Sequence, residues 1–159
     1  MQVSVDTDVR AGAHSDYGSL TLLFQRPGQP GLEIRPPDDD EKWLPVPVFP
    51  DGYDDSLPPI LVNIGDLMTY WTEGLLRSTV HRVIFPKDTK ASVDRYSIAF
   101  FCHPKDDAKL VPVPSQRVRE HRDRMSNGEQ STGDGRAITA KEHLLKRLAA
   151  TYAHRVDRS

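Results

Sequence analysis

His14 and Asp16 are the first residues of the chain whose types could bind a metal ion. In an extended segment, side chains two positions apart point to the same side, so both could face one point while Ser15 faces away. An H-x-D triplet alone is weak evidence, because such triplets often occur by chance and a hydrogen-bonded turn explains them as well. A metal site therefore requires a third ligand from elsewhere in the chain.

His81 is the candidate for that third ligand. It lies in "STVHRVIF", a stretch that otherwise has the apolar and β-branched residues of a strand, 65 residues after Asp16. A histidine in such a strand is usually a core residue with a satisfied hydrogen bond. However, two histidines and one carboxylate on one side of an ion form the facial triad of nonhaem Fe(II) oxygenases, which leaves coordination positions open for reaction.

Arg95 and Ser97 form a second candidate site in "DRYSIAFF", where they share strand phase. An arginine in an apolar strand is costly without an anionic partner, and its planar guanidinium can hold a carboxylate through two parallel bonds. We expect the strands of His81 and Arg95 to form a hairpin. A short dicarboxylate with a keto acid at its other end would then fit between them. The alternative is a structural salt bridge with a nearby acid such as Asp94.

Composition restricts the class of protein. The chain has 159 residues, 37% hydrophobic and 28% charged, with a formal net charge of -2. This charge predicts no nucleic-acid partner and no anionic membrane surface, and no apolar run approaches the roughly 20 residues of a membrane span. Cys102 is the single cysteine, which excludes an internal disulfide. Without a secretory signal pattern, we expect a cytoplasmic protein.

Short strands separated by Pro- and Gly-rich turns predict an all-β sandwich or barrel with a C-terminal helix. We expect the β domain over residues 1–114, with "ILVNIGDLMTYW" as two strands about Gly65–Asp66. A polar loop should follow over 115–138, and a helix packed on the barrel over 139–155. Thr139 and Glu142 fit a capping box at its start. Its predicted apolar stripe consists of Leu144, Leu145, Leu148 and Tyr152.

Five segments in order and at matching spacing resemble the iron(II)- and 2-oxoglutarate-dependent dioxygenases of the isopenicillin N synthase-like family. They cover residues 10 to about 104 and read "RAGAHSDYGSLTLLFQ", "GLEI", "WLPV", "LVNIGDLMTYWTEGLLRSTVHRV" and "RYSIAFFCHP". The resemblance implies a double-stranded β-helix, or jelly roll. It implies His14, Asp16 and His81 as iron ligands, and Arg95 and Ser97 as residues that bind 2-oxoglutarate.

By the same resemblance, the activity would couple decarboxylation of 2-oxoglutarate and activation of O2 at Fe(II) to oxidation of a small organic substrate, by hydroxylation, desaturation or cyclisation. Ascorbate would be an accessory cofactor, and secondary metabolism the setting.

Weaker candidates surround these motifs. We interpret Arg10, Tyr17 and Phe101 as residues near the pocket, with a surface charge the simpler interpretation for Arg10. Tyr70, Trp71 and Leu75 either line a substrate entrance or fill the core, and the core is the more common place for aromatic residues of a β domain. The remaining histidines are interpreted as surface or packing residues: His103, His121, His143 and His154.

The chain differs from the family in the short stretch before His14, because family members have a long N-terminal region that contributes strands to the barrel. We therefore expect only the C-terminal oxygenase domain, an incomplete jelly roll with an exposed sheet edge or face, and a second chain that covers it. Two other hypotheses remain. One is a catalytically silent β domain that retains the metal motif. The other is a cupin-like metal enzyme, against which the Arg95 and Ser97 pair argues.

Overall fold

The computed structural model describes residues 8–54, 56–85, 94–125 and 137–156. Strands dominate the first part of the chain and helices the last part. The strands are β1 (Asp8–His14), β2 (Leu20–Gln25), β3 (Leu32–Ile34), β4 (Leu44–Pro45), β5 (Leu61–Ile64), β6 (His81–Phe85) and β7 (Ser97–Cys102). The helices are α1 (Asp66–Trp71), α2 (Gln116–Met125) and α3 (Ala140–Val156).

The strands form two sheets, and the chain repeatedly alternates between them. The four-stranded sheet has the order β1-β6-β3-β4, and the three-stranded sheet has the order β5-β2-β7. Adjacent strands of the four-stranded sheet pair antiparallel. Alternation of successive strands between two sheets is typical of a jelly roll rather than of a simple meander. The predicted fold class is therefore confirmed, with two helices in addition to the expected C-terminal one.

The predicted hairpin between the strands of His81 and Arg95 is wrong. Strand β6 pairs with β1 on one side and with β3 on the other, so both of its edges are occupied. Strand β7 pairs instead with β2 in the three-stranded sheet. Strands β6 and β7, which follow each other in the sequence, thus belong to different sheets.

Helix α1 replaces the second of the two strands predicted around Gly65–Asp66. The chain leaves β5 at Ile64, and Gly65 is the N-cap residue of a helix that begins at Asp66. An acidic residue in the first turn interacts favourably with the helix dipole. The helix is anchored by Leu67, which is fully buried.

Helix α2 lies within the segment predicted as a polar loop over 115–138. Its sequence, "QRVREHRDRM", consists mostly of good helix formers. Gln116 donates a hydrogen bond to Glu120 one turn later, Arg122 pairs with Glu73, and Val118 is buried. One buried anchor and polar pairs are enough to hold a helix whose sequence lacks an apolar stripe. Residues 126–136 of the predicted loop lie outside the described residues.

The C-terminal helix and its capping box are confirmed. The Thr139 hydroxyl accepts a hydrogen bond from the main-chain N–H of Glu142, and the Glu142 carboxylate accepts one from the N–H of Thr139. The predicted apolar stripe is only partly right, because Leu145 is exposed and the buried residues are Ala140 and His143. The helix is turned so that Ala140 packs on the core. The side chain of Tyr152 lies outside the described ones.

The described residues form two compact units. One contains residues 8–15, 22–54, 56–63, 79–85 and 94–100, with the four-stranded sheet. The other contains residues 16–21, 64–78, 101–125 and 137–156 and has its own core. There Leu67 of α1, Leu110 and Ala140 of α3 are buried together, with Trp71, Ala108 and Ile138 packed around them. Among the helices that the structure describes, none has the length and apolar character that crossing a bilayer demands.

Candidate metal centre

His14 and His81 are brought together by strand pairing. The last residue of β1 and the first residue of β6 are direct partners in the antiparallel register, and their rings lie 4.4 Å apart between centroids. The β1 strand contains irregularities between Val9 and Ala11 and again between Ala11 and His14. Because of these irregularities, the alternation of side chains along β1 does not show whether Arg10 and His14 share a face. The Arg10 guanidinium lies 4.9 Å from the ring centroid of Phe85.

Each of the two imidazoles is oriented by a main-chain carbonyl two residues earlier. His14 Nδ1 lies 2.6 Å from the Gly12 oxygen, and His81 Nδ1 lies 3.0 Å from the Thr79 oxygen. A carbonyl can only accept a hydrogen bond, so Nδ1 carries the proton in both rings and the lone pair is on Nε2. This is the tautomer that binds metal through Nε2, with Nδ1–H held by an outer partner.

The Asp16 carboxylate completes the group. Its ligand atom and those of His14 and His81 all lie within 4.8 Å of one another. Asp16 is only 7% exposed, whereas His14 is exposed and His81 is half-buried. The Thr21 hydroxyl, itself buried on β2, donates a 2.6 Å hydrogen bond to Asp16 Oδ2. Two imidazoles held through Nδ1 and one oriented carboxylate are a donor set that fits Fe(II) with open coordination positions.

Two features around Asp16 were not identified from the sequence. Thr21 is a hydroxyl residue in the apolar strand segment "SLTLLFQ", and its position five residues after Asp16 was the available signal. The second feature is the start of α1, which donates three main-chain hydrogen bonds to the Asp16–Ser19 segment. These run from Gly65 to Ser19, from Asp66 to Asp16 and from Leu67 to Gly18.

Arg95 and Ser97 contact each other, as their shared phase predicts. Arg95 donates from one terminal nitrogen to the Ser97 hydroxyl at 3.2 Å and from Nε to the Pro30 carbonyl at 3.1 Å. The alternative of a salt bridge to Asp94 is not observed, because the Asp94 carboxylate instead accepts a hydrogen bond from the Tyr96 hydroxyl. Within the described parts of the chain, Arg95 has no carboxylate partner. Its partial burial lowers the pKa of the guanidinium, which is the direction expected for a cation without a countercharge.

Gly31 makes the approach of Pro30 to Arg95 sterically possible. Its φ of 129° is in the region that favours glycine. A Cβ atom at this position would lie 2.4 Å from the main-chain oxygen of Ile84 and 3.5 Å from Arg95 Nε. The Gly31 carbonyl in turn accepts a hydrogen bond from the N–H of Ile84. Close packing of the chain before β3 against β6 thus brings the Pro30 oxygen to Arg95.

The weaker candidates divide between packing and exposure. Trp71 packs against the core, and the Tyr17 hydroxyl contacts Thr151 on α3 at 2.5 Å. The Tyr70 ring is tilted relative to that of His143, with the centroids 5.7 Å apart. Phe101 is exposed and Leu75 is half-buried. Among the other histidines, His143 is buried, His121 is half-buried and His103 is exposed, while the side chain of His154 lies outside the described ones. His103, His121 and His143 are not part of the metal-ligating group.

Known proteins with this sequence pattern include fungal oxygenases. The chain is 43% identical over 152 residues to the UPF0676 protein C1494.01 of Schizosaccharomyces pombe, covering 94% of the chain and 40% of that protein. It is 35% identical over 140 residues to the 2-oxoglutarate-dependent dioxygenase tropC of Talaromyces stipitatus, covering 88% of the chain and 34% of that protein. The chain thus spans well under half the length of these relatives.

A solved structure supports the same relationship. The full-length Neurospora crassa T7H in complex with α-ketoglutarate, which is 2-oxoglutarate, matches with a TM-score of 0.61 and 33% identity. The match covers 91% of the chain and 38% of T7H. The family model described as the 2OG-Fe(II) oxygenase superfamily matches residues 3–104, a range that includes His14, Asp16, His81, Arg95 and Ser97. The chain belongs to the 2OG-Fe(II) oxygenase superfamily.

Proposed function

We propose that the chain binds Fe(II) through His14, Asp16 and His81 and uses 2-oxoglutarate and O2 to oxidise a small organic substrate. The observation that carries this proposal is the convergence of the three ligand atoms within 4.8 Å, on two strands and the segment that follows the first of them. Bound Fe(II) would supply the redox chemistry that couples decarboxylation of 2-oxoglutarate to oxidation of the substrate. The name of tropC and the α-ketoglutarate complex of T7H support the same activity.

The residues of this chain have separate tasks in that activity. The Gly12 and Thr79 carbonyls hold the two imidazoles in the metal-binding tautomer, and the Thr21 hydroxyl fixes the rotation of the Asp16 carboxylate. The exposed side of His14 leaves a path by which the substrates can reach the ion.

We propose Arg95 and Ser97 as the residues that hold the distal carboxylate of 2-oxoglutarate. The guanidinium is desolvated and lacks a carboxylate among the described residues, so an incoming anion removes an existing electrostatic cost. Ser97 lies within hydrogen-bond distance of the same guanidinium and can donate its hydroxyl proton to the second side of the anion.

A small organic molecule is the proposed substrate class. T7H has been solved with α-ketoglutarate and thymine together. Thymine is a small heterocycle and so belongs to the proposed substrate class. Ascorbate is proposed as an accessory reductant. We further propose that a second chain covers β7, an edge strand of the three-stranded sheet on which Ile98 and Phe100 are 70% and 59% exposed.

The decisive experiment is anaerobic titration of the purified chain with Fe(II) and 2-oxoglutarate. We expect a weak visible charge-transfer band in the wild type and its loss in His81→Ala. His103→Ala is the matched control, because His103 also bonds a main-chain carbonyl through Nδ1 but lies outside the triad. Absence of the band in the wild type at saturating ligand would refute the proposal.

The alternative is a catalytically silent β domain that retains the metal motif. It is separated from an active oxygenase by adding O2 after the band has formed. Formation of succinate in the wild type but not in His81→Ala supports turnover. A persistent band without succinate supports a domain that binds both ligands but does not react.

The second-chain proposal has its own measurement, sedimentation of the purified chain over a range of concentrations. We expect self-association through β7 that increases with concentration and is weakened in Ile98→Lys. A wild type that stays monomeric and soluble at high concentration, and that behaves like Ile98→Lys, contradicts it.

A further inference from the structure

We propose that Asp66 and Arg147 form a positioning pair through which helix α3 orients the Asp16 carboxylate. The inference rests on the proposed function, since it assigns an effect on the metal centre to residues that do not belong to it. Neither Asp66 nor Arg147 is among the three candidate ligands.

The first step is the contact between α1 and the segment that contains Asp16. The N–H groups at the start of α1 have no partners within the helix, and three of them donate to carbonyls of this segment. The bond from the Asp66 N–H to the Asp16 oxygen is the shortest of the three, at 2.8 Å. The main chain of the proposed ligand is therefore held directly by the first turn of α1.

The main chain at Gly65 packs tightly against the segment that contains Asp16. A Cβ atom on Gly65 would lie 2.2 Å from the Gly18 carbonyl oxygen and 3.1 Å from the Asp16 oxygen. The two segments are thus packed so closely that a displacement of α1 must displace the Asp16 main chain. With the Asp16 side chain already fixed by Thr21, such a displacement changes where the carboxylate points.

The third step is the connection to α3. Arg147 donates to the Asp66 carboxylate at 2.7 Å, and the guanidinium also lies 5.5 Å from the ring centroid of Tyr17, the residue after Asp16. The Tyr17 hydroxyl reaches Thr151 one turn later on α3. One face of α3 therefore contacts both the first residue of α1 and the neighbour of the proposed ligand.

Charge and burial indicate that the pair is more than a surface contact. The side chain of Asp66 is only 16% exposed and that of Arg147 is 40% exposed. A partly buried ion pair imposes a fixed geometry on both partners, because breaking it leaves a charge in a poorly solvated place. Helix α3 is itself fixed by its capping box and by Ala140 in the core. The packing of α3 on the core thus fixes the place of Arg147. Arg147 in turn holds Asp66, whose N–H holds the main chain of Asp16.

The test measures metal affinity and stability together in Arg147→Met. Removal of a partner outside the ligand shell lowers metal affinity by 10- to 100-fold, and we expect a loss of about 10-fold because Arg147 acts through Asp66. The Tm of the metal-free chain should fall by about 2–4 °C. Co(II) is the probe, read by calorimetry and by its visible absorption band, whose shape reports the ligand arrangement.

Thr139→Ala is the matched control. It removes the cap of the same helix and should lower Tm by a similar amount, but it lies far along α3 from Arg147 and should leave Co(II) affinity and the absorption band unchanged. Arg147→Lys keeps the charge and should recover most of the affinity. A double-mutant cycle of Asp66→Asn with Arg147→Met should show that the two losses of affinity are not additive.

The outcomes separate this inference from the proposed function. If the wild type binds no Co(II) or Fe(II), the metal centre itself is refuted. If the wild type binds and Arg147→Met leaves the affinity unchanged, or changes it no more than Thr139→Ala does, the positioning role is overturned. If Arg147→Met does not fold, Asp66→Asn takes its place, because it breaks the same ion pair from the other side. A loss of Co(II) affinity in Asp66→Asn that is larger than in Thr139→Ala supports the positioning role, and an equal effect overturns it.

Discussion

The two candidate sites differ in how far the polypeptide already satisfies their side chains. In the triad, Asp16 is buried and bonded to Thr21, and both imidazoles are oriented by carbonyls of their own strands. Just before β7, Arg95 is held by one hydroxyl and one carbonyl and has no carboxylate partner in the described part of the chain. The side chains of the proposed metal centre are thus oriented by the polypeptide itself, whereas the proposed anion site presents a cation that no described carboxylate neutralises.

This difference predicts that the two binding steps can be damaged separately. The largest separation is expected for Arg95→Met, which removes the cation and leaves the triad intact. Loss of a charge-assisted hydrogen bond of about 1.5–3 kcal/mol corresponds to roughly 10- to 100-fold weaker binding of 2-oxoglutarate. Calorimetric titration of 2-oxoglutarate into the metal-loaded chain measures this, and Co(II) affinity should be unchanged.

Arg35→Met is the matched control for Arg95. Arg35 is also partly buried, but it already has a carboxylate partner in Asp40 and lies near the ring of Trp43. Its removal should leave 2-oxoglutarate affinity as it was. Equal losses in the two variants would argue that Arg95 acts through general positive charge rather than as a specific anchor.

Thr21→Val should weaken metal binding directly. It preserves the shape of the side chain but removes the hydroxyl that orients Asp16. Metal affinity should fall by about 10-fold, the lower end of the range for outer partners of a ligand. Thr72→Val is the control, since Thr72 is as buried as Thr21 and its hydroxyl bonds a carbonyl within α1. A similar loss of metal affinity in both variants would mean that the effect is one of stability alone.

Sequence reasoning was strongest where chemistry requires a residue type and weakest where packing decides. Residue types together with the family resemblance predict the proximity of His14, Asp16 and His81. Strand phase predicts that Arg95 and Ser97 share one side, and residue types predict the capping box of Thr139. Helix α1 was missed because six mostly apolar residues give too short a run to distinguish the two periodicities. The signal that was available was Leu67 and Trp71, which lie four residues apart and both pack in the core.

Two other errors have different physical causes. Helix α2 was missed because its polar sequence is held by Val118 and by pairs such as Arg122 with Glu73, and a partner in another segment cannot be identified from local pattern. The assumed hairpin failed because strand pairing depends on which edges are already taken. Strand β3 occupies the edge of β6 that β7 would have needed.

The smallest expected effect is a pH dependence of stability, and it comes from His143, which is not one of the proposed metal ligands. Burial lowers the pKa of His143 from its ordinary value of 6.5; Asp66 acts in the opposite direction, and Arg147, His103 and Lys146 add to the lowering. Below about pH 6.5 the unfolded chain therefore binds a proton more readily than the folded chain. Stability contributed by neutral His143 is present above that pH and is lost as the pH falls towards the lowered value.

Urea denaturation at pH 7.5 and at pH 5.5 checks this. The wild type should lose more stability between the two pH values than His143→Gln, which cannot take up the proton. His121→Gln is the control, because it also removes a histidine but His121 is not among the groups that shift the pKa of His143. An identical pH dependence in wild type and His143→Gln would contradict the assignment.

The absence of a Cβ atom at Gly31 limits which residues this position of the chain can accept. Because any methyl group there would collide with the Ile84 oxygen, even alanine would push the main chain around Pro30 away from β6, and with it the carbonyl that Arg95 contacts. The proposed anion recognition by Arg95 thus depends on an unreactive residue that is more than sixty positions away in sequence. In a mutational scan, position 31 should tolerate as little as Arg95 does, although it contributes no functional group.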